Sequence, residues 1–183
     1  MLIAQRTKET NISEHVIYMF QIEDLIRANN FDLETIANTI IAGQVQDDEL
    51  FEQYRNWYAG LIRQMKLQNI EEKGHVEEVQ EVLMELLMLH NTLLNIINDR
   101  EYSSAYEAAL PALKDFQVKS NSGNLNIVEV GFNALYGKLI LKLKKQPISA
   151  SSEEAFGLIA KMLGILALNY KKMRNGELNF TNN

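Results

Sequence analysis

Cysteine is absent from the 183 residues of the chain, which excludes a disulfide framework, a thiolate metal site and a cysteine nucleophile. Proline occurs only twice and glycine nine times, and the apolar spacing is helical nearly throughout, with little of the β-branched alternation that marks strands. The longest strongly apolar stretch, FGLIAKMLGILALNY from Phe156 to Tyr170, is broken by Lys161 and falls short of the roughly 20 apolar residues of a membrane span. The opening MLIAQRTKET has no apolar run ahead of its charges, so it does not read as a secretory signal, and a cytoplasmic location is expected. Nothing in the chain forms a phosphate-cradling glycine loop, a G-x-S-x-G elbow or an H-E-x-x-H zinc helix. Those absences weigh against an enzyme, and no cofactor is implied.

What is present is an all-α pattern in one domain spanning residues 1–183. A chain of this length can bury roughly 70% of the surface its unfolded form exposes, enough for a real core. Its net charge of −6 hides an asymmetry: residues 1–110 carry 8 Lys/Arg against 19 Asp/Glu, and residues 111–183 carry 10 against 5. The two parts are expected to attract each other within one fold. The acidic first part argues against a general nucleic-acid binder, which would show a dominant basic surface.

The pattern predicts a bundle of six or seven helices. The first starts at Thr10 or Asn11, with Glu14 placed for a capping box, and ends at Asn29 and Asn30. Asp32 caps a short second helix. Asp47 opens a third, whose Phe51, Tyr54, Trp57, Tyr58, Leu61, Ile62 and Met65 form an aromatic stripe suited to a core. A long central helix runs from about His75 to Asn98. Its heptad places Val79, Leu86 and Leu93 at a, Val82, Leu89 and Ile96 at d, and Val76, Leu83, His90 and Ile97 at e; Leu87 and Leu94 add a fourth apolar row. Ser103 or Ser104 starts the next helix, which Pro111 is expected to kink or divide. The linker KSNSGN, residues 119–124, marks a sub-boundary within 119–125 before a C-terminal hairpin of Asn126 to Lys145 and Ser152 to Asn175. Gly131, Gly137, Gly157 and Gly164 in that hairpin suggest close helix-to-helix approach, because glycine costs about 1 kcal/mol in a helix interior. The tail after Gly176 is expected to fray.

Three polar residues stand where apolar ones belong. Val16, Met19, Phe20 and Ile26 surround Glu23 on a helical wheel, and Arg27 follows one turn later, in the order that favours a glutamate–arginine pair. The pair is expected to fix how the first helix docks on the aromatic third. A pocket in which Arg27 grips an anion is the alternative. His90, alone among apolar rows, reads as a core histidine bonded to a backbone carbonyl or a carboxylate, so that His90→Leu would cost little. A two-metal helical site needs two E-x-x-H pairs; the chain offers one such spacing, Glu72 to His75, broken by Gly74. A single-ion site from His15, His90 and Glu23 converging in the core is the stronger of the two metal options. GKLILKLKK, with Lys138, Lys142 and Lys145 on one side, reads as a solvated helix end.

The segments NISEHVIYMFQIEDLIRANN, WYAGLIRQM, EKGHVEE and ALYGKLILKLKK together resemble a family of bacterial all-helical proteins known as a domain of unknown function. The resemblance covers nearly the whole chain. It implies a compact cytoplasmic helical domain and brings no activity, substrate or catalytic residue.

These features favour a non-enzymatic domain that binds another macromolecule, with an unknown protein partner and no nucleic acid or membrane. A homodimer formed partly through the final hairpin is expected, because FGLIAKMLGILALNY is apolar around more of its circumference than one-sided packing requires. The alternative is a polar pocket of Glu23, Arg27 and His90 that takes a small ligand or a metal ion and could extend to hydrolysis.

Overall fold

The structure, a computed structural model, describes residues 2–178, and all its regular elements there are helical. They form eight helices: α1 (Ile3–Thr10), α2 (Ile12–Ala28), α3 (Leu33–Ile36, extended by a π-helical Ala37–Ile41 and by Ala42–Gln44), α4 (Asp48–Leu67), α5 (Glu77–Thr92, extended by a π-helical Leu93–Ile97), α6 (Arg100–Lys119), α7 (Ile127–Leu143) and α8 (Ala150–Arg174). Side-chain caps set many of the boundaries. Asn11 accepts hydrogen bonds from the Ser13 and Glu14 amides at 3.1 and 3.4 Å and donates to the Glu14 carboxylate at 3.0 Å. Asp32, Asp47, Asn126 and Ser149 cap α3, α4, α7 and α8, which satisfies amides that a helix start leaves orphaned. Asn30, Asn69, Asn98 and Asn121 end their helices in the left-handed region, where asparagine is better tolerated than most residues.

The core is a bundle in which α8 touches α2, α5, α6 and α7, while α1 lies on α2 and α3 packs with α4. Ile159, Met162, Leu163 and Leu166 are the inner side of α8. Much of its apolar circumference is thus used inside the fold. Helix α5 buries the expected a, d and e positions from Val79 to Leu93, but Leu87 and Leu94 are only half-buried and Ile96 is 62% exposed. For Leu94 and Ile96 the cause is the π-helical turn at Leu93–Ile97: its wider turn rotates the residues in and after it out of the heptad register.

Other expectations also change. Residues Ile3–Thr10 form a helix that the sequence pattern does not separate from its surroundings. Helix α6 begins earlier than Ser103, because Asp99 accepts from the Tyr102 amide at 2.7 Å, and it runs through Pro111 undivided. The charge asymmetry is not bridged by ion pairs: among the described residues each ion pair joins members of the same part, as in Lys8–Glu78 and Lys138–Glu153, both 2.5 Å. Tyrosine hydroxyls cross instead, Tyr136 to Asp24 at 2.7 Å and Tyr170 to Glu85 at 2.6 Å. Leu143, beside Lys142 in the basic helix end, is 63% exposed. The tail expected to fray lies, from residue 179 on, outside the described residues.

Close packing on glycine holds at one of the four hairpin positions. A Cβ on Gly131 would lie 3.3 Å from Leu163 Cδ1 and 3.5 Å from Leu113 Cδ2, whereas Gly137, Gly157 and Gly164 face open space. Gly60 in α4 is equally open, so Gly60→Ala should gain the usual helical preference for alanine. Gly131→Ala must add the cost of overpacking, and its stability measured by urea unfolding is expected to fall about 1–3 kcal/mol short of that of Gly60→Ala.

Candidate functional site

The most heavily organised polar cluster gathers around Glu23. Its side chain is fully buried, and both carboxylate oxygens are occupied: Oε2 lies 2.6 Å from His75 Nδ1, and Oε1 accepts from the Val76 amide at 2.8 Å. Val76 is the N-cap residue of α5 and brings no capping side chain of its own. Glu23 therefore caps α5 from a helix 53 residues away in sequence, and Gln68 does the same for the Glu77 amide at 3.0 Å. The positive end of α5 and two donors compensate the desolvation that would otherwise expel the carboxylate from the core. The His75 ring stacks on Phe20 of the same α2, with centroids 3.9 Å apart and planes 9° from parallel.

Arg27, one turn on, holds the preceding loop. Its Nη2 donates to the carbonyls of Ile70 at 3.1 Å and Gly74 at 2.5 Å, and its Nη1 pairs with Asp24 at 3.0 Å. Gly74 sits at φ 101°, a conformation that glycine alone adopts cheaply. Asp24 in turn accepts from the Tyr136 hydroxyl of α7; burial, helped by Asp24, raises the Tyr136 pKa. One stretch of α2 thus fastens the 68–76 loop, the start of α5 and the middle of α7.

This arrangement corrects the expected Glu23–Arg27 salt bridge. Both residues lie where the wheel puts them, but Glu23 is answered by His75 and Val76, and Arg27 by Asp24 and two carbonyls. Nor does the pair dock α2 on the aromatic helix; Tyr18 does that, stacked on Trp57 with centroids 6.3 Å apart. His75, which the sequence marks as the approximate start of the central helix and the end of the Glu72–His75 spacing, is the missed member.

His90 belongs to a separate cluster. Its Nδ1 lies 2.6 Å from the hydroxyl of fully buried Tyr102, and its ring meets Tyr102 and Tyr106 edge-on at 5.6 and 4.9 Å. The partner is a tyrosine hydroxyl rather than the carbonyl or carboxylate expected, so loss of His90 would strand that hydroxyl. His15 is a third cluster: Nδ1 lies 3.0 Å from the Ala4 carbonyl, tying α1 to α2, and its buried Nε2 has no hydrogen-bond partner. Among the described residues no three His, Asp or Glu side chains gather to hold a metal ion. Two clefts of about 330 Å³ open elsewhere, one near Lys8, Asn11, Lys171 and Arg174, the other near Asp99, Lys172 and Glu177. Neither is lined by Glu23, Arg27 or His90.

A carboxylate that orients an imidazole can serve acid–base chemistry, and it can equally pin a loop; here, apart from the Arg27–Asp24 pair within α2, every other bond of the cluster goes to backbone or to a neighbouring helix. A double-mutant cycle in urea separates the partners. Glu23→Gln and His75→Gln should be coupled by about 1–3 kcal/mol, whereas Glu23→Gln and Arg27→Met should add to within about 0.5 kcal/mol.

Burial lowers the pKa of both His15 and His90 below the usual 6.5. The unfolded chain then takes up protons first, so the stability these histidines confer is complete above about pH 6.5 and declines as pH falls below it. His90→Leu should flatten that decline in unfolding midpoints between pH 7.5 and 5.5. At pH 7.5 it should cost about 1–3 kcal/mol through the stranded Tyr102 hydroxyl, a cost that added Tyr102→Phe should largely remove.

No curated protein and no solved structure matches the chain. A family model does match it, over residues 1–177. The chain belongs to the family described as a domain of unknown function (DUF4924).

Proposed function

We propose that this chain is a non-enzymatic interaction domain of the bacterial cytoplasm, that it works as a homodimer, and that it binds a further protein through the outer face of α5. One observation carries the reading. Met84 and Met88 are 56% and 64% exposed on the helix that otherwise supplies much of the core, with half-buried Leu87 beside them. Next to Met88 an apolar groove of about 270 Å³ is lined by Leu89, Met173 and Leu178. Methionine is adaptable and favours surfaces that accept partner side chains. Glu77 and Glu81, exposed on the same face two turns and one turn before Met84, suit a partner helix that is apolar on one side and basic at its edge.

The polar-pocket reading draws support from one atom. Arg27 Nε is buried without a hydrogen-bond partner, a donor that a small anion or polar ligand would satisfy. In that reading Glu23 and Arg27 are ligand-binding residues of one polar cluster and His90 of a separate one.

A photo-crosslinking residue at position 88 should capture one protein in cells, and the same residue at exposed Gln64 on α4 should not. The double substitution Met84→Glu/Met88→Glu should abolish the capture with an unchanged unfolding midpoint. Absence of an adduct at positions 84 and 88, together with a bound small molecule in native mass spectrometry, would favour the pocket instead.

A further inference from the structure

The outward side of α8 carries a seam that its burial inside the bundle does not explain. Glu154, Gly157, Lys161, Gly164, Leu168 and Lys171 are all exposed, Leu168 by 63%. Their spacing alternates three and four residues, the a/d repeat by which one helix lies along another. A Cβ placed on either glycine would meet nothing within 4 Å, so neighbouring helices of the fold give no reason for their presence. Among the described residues Glu154, Lys161 and Lys171 form no ion pair.

From end to end, the seam is complementary to its own reverse. A two-fold axis midway between Lys161 and Gly164 lays Lys161 over Gly164 of the second copy, Gly157 over its Leu168, and Glu154 over its Lys171. Each long side chain then meets a glycine, and each outer charge meets its opposite, twice over by symmetry. A parallel pairing would set Glu154, Lys161 and Lys171 each against its own copy and leave both glycine layers empty. Beside Gly164 a groove of about 310 Å³, lined by Leu135, Ala160, Leu163, Ala167 and Leu168, leaves room for the stem of an incoming Lys161. The interface is isologous, as a two-fold dimer requires.

We infer that two copies of this chain associate through an antiparallel α8–α8 pairing centred between Lys161 and Gly164. This gives a surface and an orientation to the homodimer proposed above and rests on that reading.

Because the chain has no cysteine, introduced thiols report the pairing cleanly. Gly157→Cys and Leu168→Cys are purified separately, then mixed and oxidised mildly. The mixture should form a disulfide-linked dimer and neither variant alone should, since like positions would stand about 16 Å apart along the seam, at 1.5 Å per residue, and a disulfide bridges Cα atoms less than about 7 Å apart. Light scattering on the unmodified chain at tens of micromolar should give twice the single-chain mass of 21.0 kDa. Charge reversal supplies a second reading: Glu154→Lys and Lys171→Glu should each raise the dissociation constant several-fold at low salt, and the double variant should restore it. Cross-linking of each variant with itself but not in the mixture would overturn the antiparallel order. No cross-link while the unmodified chain is dimeric would place the interface elsewhere and leave the homodimer standing. A single-chain mass would overturn both.

Discussion

A carboxylate with no exposure to water must be answered inside the protein, and the way Glu23 is answered organises the first part of this fold. Its two acceptor oxygens face the imidazole of His75 and the amide that opens α5. The charge stays buried because a helix begins at it, and the helix begins cleanly because the charge is there. Arg27 then fixes the carbonyls of the incoming loop, and Asp24 reaches across to α7. Removing any one of these groups leaves a stranded partner rather than a neutral gap.

Much of the helical architecture was legible in the residues, because caps are local. Asn11, Asp32, Asp47 and Asn126 sit beside the helices they start, and a reader of the sequence can find each within three positions. What was not legible is capping from a distance. Val76 opens a strongly apolar helix without a capping side chain of its own, and Glu23 is a carboxylate without a visible reason; the two puzzles have one solution. A helical wheel of α2 offers Glu23 only its own neighbours, and among those Arg27 is the natural partner. His75, 52 residues away, lies outside anything local periodicity can reach. The same limit separated His90 from Tyr102, whose phenol comes from the next helix.

The small-residue positions show a different limit. Sequence treats Gly131, Gly157 and Gly164 alike, since each costs the helix similar conformational entropy. In the fold one is pressed by Leu113 and Leu163 and the others look outward. Glycine spacing marks where a close approach is possible and leaves open which molecule does the approaching. Burial decides, and burial depends on the whole chain.

The π-helical turns at Ala37–Ile41 and Leu93–Ile97 have a consequence for how this chain can change its length. A π-turn holds one residue more than the α-turn it replaces, with the surplus absorbed as a local widening. At these two places the helix already tolerates a residue that its register does not need. A one-residue deletion between Leu93 and Ile97 would return the helix end to a regular α-turn and bring Ile96 round toward the core, while the same deletion near Leu86 would rotate every later core residue out of place. Insertions and deletions among relatives of this chain should therefore gather at the two widened turns rather than within α4 or the regular turns of α5.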